Sequence, residues 1–485
     1  MHMDDKFLTS KRPYLRVLSE SQLEDIHFAS IHVLERTGMV FNSPEAVDLL
    51  LAAGCRKVKG NRICIPSHLI DESLRSAPKQ IRISDRDGKP AMLLAKRNVY
   101  YGTGSDLPSV IDPYSGQKRT ALAKDVANFA KLCDYTPNID FVMSMALASD
   151  RPVETTDLYA FAGMVTNTTH PILFIAANRE TLEDIYKMCV AIRGSEEAFE
   201  KEPFIIHYAE PSSPLQHSKD ALEKLLFCAE HGIPFTYPSG TSLGATAPVT
   251  IAGAMVMSNA EFLGGLVLSQ LTRKGAPIIY GGGNSAMDMR TATYLYAAPE
   301  TWLNGMAMKE LSAYYGLPCF GEGGCADAKI FDQQAASEGA STLLLTGMIG
   351  TNLIHDVGYI ESGMTGSYEM VLFSDTVIGQ VKRFLKGIEV SDETLAVDVL
   401  NKVGPGGNFL TDRHTLKHFK TSIWDVNYFD RQNYSQWLKQ GGKTLGQVLN
   451  EKVRWILENH NAKPLDRAVE EEIQTIIQRL ELKVK

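Results

Sequence analysis

The stretch Ala276-Pro-Ile-Ile-Tyr-Gly-Gly-Gly283 is a short β-type run with a proline near its start and three glycines at its end. A long apolar stretch of helical character, Ile251 to Leu271, lies before it. Runs of the same kind alternate with helical stretches along the middle of the chain, which is typical of a parallel sheet. The other runs are Asn98 to Gly104, Asp140 to Ala146, Pro171 to Ala177, Pro203 to Glu210, Pro234 to Gly240, Leu317 to Gly323 and Asn352 to Gly358.

Eight such runs predict an α/β fold, a (β/α)8 barrel of the TIM type. An open doubly wound sheet is the alternative. That fold would carry a glycine-rich phosphate turn that opens a helix after the first strand, whereas Tyr101-Gly-Thr-Gly-Ser-Asp106 is followed by Leu-Pro and a turn. The pattern therefore favours the barrel.

Helical segments flank the predicted barrel, which we place at residues 96–375. Residues 1–95 form a mostly helical N-terminal segment, with an amphipathic helix from Ser19 to Met39, a second helix from Pro44 and a small hairpin that turns at Asp85–Gly88. After Asp375 the strand-like runs stop. Residues 376–485 are therefore predicted to be a C-terminal helical extension that packs on the barrel or on a second subunit.

The composition is that of an ordinary globular protein. The 485 residues include 49 Lys+Arg and 57 Asp+Glu, with a net charge of −8, and 44% are hydrophobic. The basic stretches Arg56 to Arg62 and Lys417 to Lys420 are short, so we expect no nucleic-acid partner. Seven scattered cysteines without a CxxC pair fit a reducing cytoplasm. Met1 to Lys11 lacks the apolar core of a signal peptide, so neither export nor membrane insertion is expected.

In barrels of this type the working side chains lie at the C-terminal ends of the strands and in the loops that follow. At those positions this sequence is rich in tyrosine, glycine and carboxylates. The residues are Thr103, Ser105, Asp106, His207, Tyr208, Glu210, Tyr237, Ser239, Tyr280, Asn284, Phe320, Glu322, His355, Asp356, Tyr359 and Glu361.

Several aromatic faces around one cavity attract a quaternary ammonium ion through their quadrupoles, so the tyrosines indicate a cationic substrate. The alternative is that Tyr280, Tyr294, Tyr296 and Tyr359 are ordinary wall residues. Arg290 follows the sixth run. Its guanidinium could hold a substrate carboxylate, or it could pair with Asp288 or Glu261.

A catalytic metal is not predicted. His207 with Glu210, or His355 with Asp356 and Glu361, could supply nitrogen and oxygen ligands, but no spacing is diagnostic and no HExxH helix is present. A serine nucleophile elbow, GxSxG, is also missing, which disfavours hydrolase chemistry.

Five segments of the chain resemble the trimethylamine methyltransferase family. Together they run from the first predicted strand to near the C-terminus, and the resemblance covers nearly the whole chain. The segments are Tyr101-Gly-Thr-Gly-Ser-Asp106; Gly281-Gly-Gly-Asn-Ser285 with Met287-Asp-Met-Arg290; Ala328-Lys-Ile-Phe-Asp-Gln-Gln-Ala335; Gly358-Tyr-Ile-Glu-Ser-Gly363 with Ser367-Tyr-Glu369; and Gly404-Pro-Gly-Gly-Asn-Phe-Leu410 with His414-Thr-Leu416.

The resemblance implies a (β/α)8 barrel that moves a methyl group from an amine to the cobalt of a corrinoid (cobalamin). A separate small protein carries this corrinoid, so it is not permanently bound to the present chain. The trimethylamine enzymes use pyrrolysine near the segment that corresponds to Glu361-Ser-Gly363, where this chain has standard residues, with Ser362 or a neighbour in its place. The chain therefore resembles the non-pyrrolysine branch, whose characterised members demethylate quaternary amines such as glycine betaine, proline betaine and carnitine.

Chemistry independently favours that branch. When a methyl group of a quaternary amine is attacked, a neutral tertiary amine leaves, so the enzyme has to position the donor and does not need an acid. Glycine betaine, giving dimethylglycine, is the leading expected donor, and proline betaine and carnitine are alternatives. Two other hypotheses stay open. One is a metal-assisted lyase that uses His355, Asp356 and Glu361, and the other is a non-catalytic protein that binds quaternary ammonium compounds.

The predicted site residues are chosen from the strand ends and from the family resemblance together. The predicted catalytic residues are His355, Glu361 and Ser362. The predicted substrate-binding residues are Tyr101, His207, Tyr208, Tyr237, Tyr280, Arg290, Phe320 and Tyr359. Contacts with the corrinoid are predicted at Gly281, Gly282, Gly283 and Asn284, because glycine-rich strand ends leave room at the barrel mouth, where the corrinoid protein would dock. The small-residue helices and the long C-terminal tail favour a homo-oligomer.

Overall fold

The computed structural model describes residues 13–484, and its centre is a closed ring of parallel strands. Seven strands are hydrogen-bonded in the order β1-β8-β7-β6-β5-β4-β3, and single bridges at residues 141 and 142 insert β2 between β1 and β3. The ring closes, which confirms the predicted (β/α)8 barrel. The strands are β1 Tyr100–Thr103, β2 at residues 141–142, β3 Ile172–Ile175, β4 Ile205–Tyr208, β5 Phe235–Thr236, β6 Ile278–Asp288, β7 Cys319–Glu322 and β8 Leu353–Val357.

A helix follows each barrel strand and covers the outside of the ring. Among these, α5 is long and apolar enough to cross a membrane, but 78% of its most apolar window is buried inside the protein. It packs against α4 and three helices of the N-terminal segment, which accounts for its small apolar residues. The helices are α1 Ala123–Tyr135, α2 Thr156–Asn167, α3 Arg179–Arg193, α4 Lys219–Glu230, α5 Ile251–Thr272, α6 Pro299–Tyr314, α7 Gln333–Ile349 and α8 Tyr368–Leu385.

The N-terminal segment covers one flank of the barrel and closes its bottom. The second helix begins at Pro44 as expected, and Ser43 caps it, because its hydroxyl accepts a hydrogen bond from the Ala46 amide at 3.4 Å. The hairpin Ile81–Ser84 and Pro90–Leu94 buries apolar side chains against the barrel interior, at the N-terminal ends of the strands. The remaining elements are the helices Glu20–His32, Pro44–Ala52 and Ser67–Ser76, the π-helical turn Val33–Thr37, and the strands Met39–Phe41, Arg56–Lys59 and Arg62–Cys64.

The loops beyond the strand ends carry short additional elements. A four-stranded sheet forms beside the mouth from Ser109–Ile111, Lys118–Thr120, Tyr359–Ile360 and Thr365–Gly366. The outer half of β6 pairs with Ser239–Ser242 on one side and with Thr293–Leu295 on the other. The others are the 3-10 turn Val153–Thr155, the helix Glu196–Lys201 and the strand Gln216–His217.

The C-terminal extension returns to the barrel with two of its helices. Leu445–Asn459 packs on α1 and α8, and Arg467–Val484 packs on α2 and α3. The division of the chain into three parts stays a prediction, and its boundary at residue 375 falls inside α8. The intervening helices have no buried residues; they are Asp392–Leu395, Val397–Val403, Arg413–Ser422 and Tyr434–Lys439.

Candidate active site

A cavity of about 310 Å³ opens among the C-terminal ends of β4 to β8. This end of a parallel barrel is where active sites form. A larger cavity of about 940 Å³ lies at the opposite end, beside the N-terminal segment, and contains none of these strand ends. The lining of the smaller cavity is Tyr208, Glu210, Pro238, Gly240, Thr241, Ser242, Gly282, Gly283, Tyr294, Tyr296, Phe320, Gly321, Glu322, His355 and Asp356.

Three carboxyl groups share this cavity, those of Glu210, Glu322 and Asp356. Burial raises the pKa of Glu322 to about 7, and the nearby Asp356 carboxylate adds to the increase. Burial likewise raises the pKa of Asp356 to about 7 and raises the pKa of Glu210. Glu322 and Asp356 therefore exchange protons near neutral pH and become fully ionised only above it.

His355 is a neutral ring beside one of these acids. Its Nδ1 lies 2.8 Å from the carbonyl oxygen of Gly321, which can only accept, so Nδ1 carries the proton. Burial lowers the pKa of His355, which leaves Nε2 unprotonated at neutral pH. That nitrogen lies 3.2 Å from Oδ1 of Asp356, so it can accept a hydrogen bond whenever this carboxyl group is protonated.

Aromatic rings form the other walls. Phe320 stands between Tyr208 and His355, with ring centroids 5.7 and 4.1 Å away. On the opposite side Tyr294 and Tyr296 lie 4.7 Å apart. Aromatic faces together with carboxylates stabilise an organic cation that has lost its water.

Asp327 fixes the loop that carries these two tyrosines. Its carboxylate accepts hydrogen bonds from the amides of Tyr296 and Ala297 at 3.1 and 3.0 Å, and from the Ser362 hydroxyl at 3.0 Å. Ser362 is thus joined to the cavity wall through Asp327 but does not line the cavity. The prediction that Ser362 is catalytic finds no support in this position.

Among the predicted substrate-binding residues, Tyr208 and Phe320 line the cavity. Tyr359 stands just behind Asp356; its hydroxyl donates to the Ser105 carbonyl at 2.6 Å, and its ring lies 6.1 Å from that of Tyr296. The structure therefore brings these three side chains together with His355 at one end of the barrel.

Four other predicted residues point away from the cavity, into the layer between strands and helices. The hydroxyl of Tyr101 donates to the Leu343 carbonyl of α7 at 3.2 Å, and that of Tyr280 donates to Asn259 of α5 at 3.1 Å. Alternate residues of a strand face opposite sides, and in these strands Tyr100 and Ile279 face the interior instead. By the same rule the structure places Tyr237 and His207 behind the barrel wall, fully buried.

Arg290 and Glu361 also lie outside the cavity lining. Arg290 forms a two-pronged ion pair with Asp288, at 3.1 and 2.9 Å, and its side chain is 88% exposed. Glu361 pairs with Lys118 at 2.5 Å and accepts a hydrogen bond from Thr365. Short-range partners thus hold both side chains elsewhere, which corrects their predicted roles. In the part of the chain that the structure describes, no three His, Cys, Asp or Glu side chains are grouped to hold a metal ion.

The glycine run at the end of β6 lies at the mouth, where contacts with the corrinoid were predicted. Gly282 and Gly283 line the cavity. Gly281 contacts the wall residues Pro238 and Phe320, where a side chain would not fit. Asn284 is buried and accepts hydrogen bonds from Thr241 and Ser258, both at 2.5 Å, so it belongs to the wall.

The sequence pattern indicated Glu210, Glu322 and Asp356 as strand-end residues and Tyr294 and Tyr296 as aromatic wall residues, but the predicted catalytic and substrate-binding sets included none of the five. Strand alternation would have selected Glu322, which lies two positions beyond the inward-facing Phe320. Asp356 breaks the alternation, because the pairing register between β8 and β1 shifts after residue 354 and Asp356 has a φ of +71°. No sequence signal marks that irregularity.

Gly104 provides the space in which the Asp356 carboxylate and the Tyr359 ring lie, since a Cβ atom here would collide with both. We expect Gly104→Ala to weaken the binding of a small organic cation by at least about tenfold, which is roughly 1.4 kcal/mol. Calorimetric titration with tetramethylammonium measures the effect. Gly305→Ala in α6 is the matched control, because a Cβ atom there meets nothing within 4 Å. Equal affinities of the two variants would show that Gly104 does not shape the site.

Comparison with known proteins gives a consistent result. The family model "Trimethylamine methyltransferase (MTTB)" matches residues 1–484. The trimethylamine methyltransferase MttB of Desulfitobacterium hafniense is 33% identical over 471 residues, covering 96% of this chain and 93% of the relative. That of Methanosarcina barkeri is also 33% identical, over 476 residues, with 96% and 95% covered. A glycine betaine methyltransferase of Desulfitobacterium hafniense is 29% identical over 469 residues, with 96% and 97% covered.

A solved structure supports the fold alone. The monomethylamine methyltransferase of Methanosarcina barkeri has a TM-score of 0.51 at 10% identity, covering 93% of this chain and 90% of that one. The sequence matches extend over the barrel, both flanking segments and every strand end that lines the cavity. The chain therefore belongs to the trimethylamine methyltransferase family.

Proposed function

We propose that this chain transfers a methyl group from a quaternary amine to the Co(I) of a corrinoid that a separate protein carries. The observation that carries the proposal is a cavity at the barrel mouth that combines aromatic walls with three carboxyl groups, a lining suited to an organic cation. Membership of a methyltransferase family supports the reaction class. The relative named glycine betaine methyltransferase supports a quaternary donor. We also propose that the chain works in the cytoplasm and forms a homo-oligomer.

Glycine betaine, giving dimethylglycine, is the donor that the sequence and this relative favour, with proline betaine and carnitine as alternatives. All of them carry a trimethylammonium or dimethylammonium group, which aromatic faces attract.

The residues of this chain would act by desolvating and orienting the cation. Tyr208, Phe320, Tyr294 and Tyr296 would enclose the ammonium group, and one methyl would point to the mouth. The partner's corrinoid supplies the cobalt nucleophile. The glycines at the ends of the strands, Gly282 and Gly283 among them, leave the approach free of side chains.

The raised pKa values of the acids also suit a reaction in which positive charge disappears. A fixed carboxylate would stabilise the cationic donor more than the transition state, in which the charge is already decreasing, and would slow the step. Burial raises the pKa values of Glu322 and Asp356 to about 7, so near neutral pH these acids are only partly ionised and hold the cationic donor less strongly than permanent charges would.

This account predicts a pH dependence of binding. A bound cation favours the ionised form of Glu322 and Asp356, so it lowers their pKa values from about 7 and releases protons. The dissociation constant for choline should therefore fall as the pH rises towards 7, by up to about tenfold per pH unit for each proton released, and level off near pH 8. Titration calorimetry between pH 6 and 8 measures this trend. The uncharged isostere 3,3-dimethylbutan-1-ol is the control, and an equal slope for both ligands would contradict the coupling.

The test of the function is an anaerobic assay with Co(I) cobalamin or the corrinoid protein, followed by visible absorbance. Methylated cobalt should form with at least one quaternary amine and not with trimethylamine. The panel consists of glycine betaine, proline betaine, carnitine, choline and tetramethylammonium. Tight binding without methylation of cobalt by any donor would replace the proposal by that of a non-catalytic binding protein.

A further inference from the structure

We infer that the methyl donor is a quaternary ammonium ion without a carboxylate group, of the class of choline or tetramethylammonium, rather than a betaine. The inference rests on the proposed methyl transfer from a quaternary amine and replaces the leading donor, glycine betaine, by one without a carboxylate. It follows from the charges and hydrogen bonds of the cavity lining.

The charge balance of the lining is one-sided. Glu210, Glu322 and Asp356 face the cavity, and none of the lining residues in the described chain is a lysine or arginine. In glycine betaine a single methylene separates the carboxylate from the nitrogen, so both charges would enter a space of about 310 Å³ together. The carboxylate would then face three acids at short range, and like charges in a poorly hydrated site repel strongly.

Three cationic side chains at this end of the barrel have partners outside the cavity lining. Arg290 points into solvent and forks onto Asp288. Lys118 pairs with Glu361. Lys224 lies outside the barrel wall, where its ammonium group donates to the Ala176 carbonyl at 2.6 Å. None of these groups offers a counter-ion to a substrate carboxylate.

Three neutral donors in the lining are also engaged by the protein. The Tyr208 hydroxyl donates to Glu210 at 2.7 Å, and that of Tyr294 donates to Glu322 at 3.3 Å. The Thr241 hydroxyl donates to Asn284. The three carboxyl groups add acceptors to this lining, so above neutral pH it suits a ligand whose own hydroxyl can donate, as that of choline does, better than a ligand that brings another acceptor.

A matched pair of ligands isolates the carboxylate. Glycine betaine and its methyl ester share the trimethylammonium group, but only the first carries a negative charge. At pH 8 we expect the ester, choline and tetramethylammonium each to bind the wild-type protein at least about tenfold more tightly than glycine betaine in titration calorimetry. Glu210→Gln, which removes one acid, should reduce this ratio.

The methyl-transfer assay separates the inference from the proposed function. Turnover with choline or tetramethylammonium at a kcat/KM above that measured with glycine betaine supports both the inference and the proposed function. Turnover with glycine betaine as the preferred donor, or equal affinity for betaine and ester, overturns the inference and leaves the methyltransferase function intact. Preferential binding of the cations without methylation of cobalt by any donor overturns the proposed function and, with it, the assignment of a donor.

Discussion

Replacing Glu322 and Asp356 together by glutamine and asparagine should weaken the binding of tetramethylammonium at pH 8 by about 100-fold, with each charge contributing about tenfold. Both acids line the cavity, and at this pH they lie above their pKa values of about 7 and are ionised. Titration calorimetry measures the loss. The matched control is Glu361→Gln, because Glu361 lies on the loop beside Lys118, outside the lining, and we expect that variant to bind as the wild type does.

The same double variant should not be less stable than the wild type. The folded-state pKa values of both acids, about 7, lie above the ordinary values of 4.5 and 3.8. Their contribution to stability is therefore present below about pH 4 and is lost as the pH rises through 7. At pH 8 the amides remove two buried charges, so the melting temperature should be equal or higher. Unchanged affinity, or a clear loss of stability with the affinity intact, would show that the acids serve the fold rather than the ligand.

Asp125→Ala should reduce the free energy of unfolding by about 3 kcal/mol, the lower end of the range for breaking one side of a buried ion pair, because Arg119 is only part-buried and keeps its ion pair with Asp112. The Asp125 carboxylate is fully buried and binds both terminal nitrogens of Arg119, at 2.7 and 2.8 Å. It also accepts a hydrogen bond from the Tyr368 hydroxyl of α8 at 3.0 Å. The substitution leaves the guanidinium and the phenol without this partner, beside the sheet that carries the loop after β8.

Urea denaturation measures that loss, and Asp125→Asn is the control. The asparagine keeps an acceptor oxygen for Tyr368 or Arg119 and should lose less than the alanine variant. If Asp125→Ala costs under about 1 kcal/mol, the pair contributes no more than a surface salt bridge does.

Much of the fold could be predicted from the sequence because its signals are local. Each of the eight predicted runs contains a barrel strand or bridge, as in Pro203 to Glu210 with β4 at Ile205–Tyr208. Proline and glycine mark the ends of such runs by their backbone preferences, which need no tertiary information. The ends of helices were less well placed; the first helix was expected to reach Met39, but its α-helical part ends at His32.

The site was only partly predictable, because the side of the barrel wall that a residue faces depends on where the alternation of each strand starts. Tyr101, Tyr237 and Tyr280 lie at strand ends as expected but face the helices, one position out of phase with the interior. Tyr294 and Tyr296 reach the cavity through a loop that Asp327 holds from a distant part of the chain, and such long-range contacts leave no local pattern. For Arg290 the local alternative, a pair with Asp288, is the one that forms.

The central claim is that a methyl group moves from a quaternary amine to cobalt on this chain. The most direct measurement is an anaerobic single turnover with donors whose three N-methyl groups are fully deuterated, choline and glycine betaine in separate reactions, with the Co(I) corrinoid protein as acceptor. Mass spectrometry of the quenched mixture reports both products. The account predicts one CD3 group on cobalt for each tertiary amine formed, with choline reacting faster. Full recovery of both deuterated donors, with the corrinoid unmethylated, would contradict it.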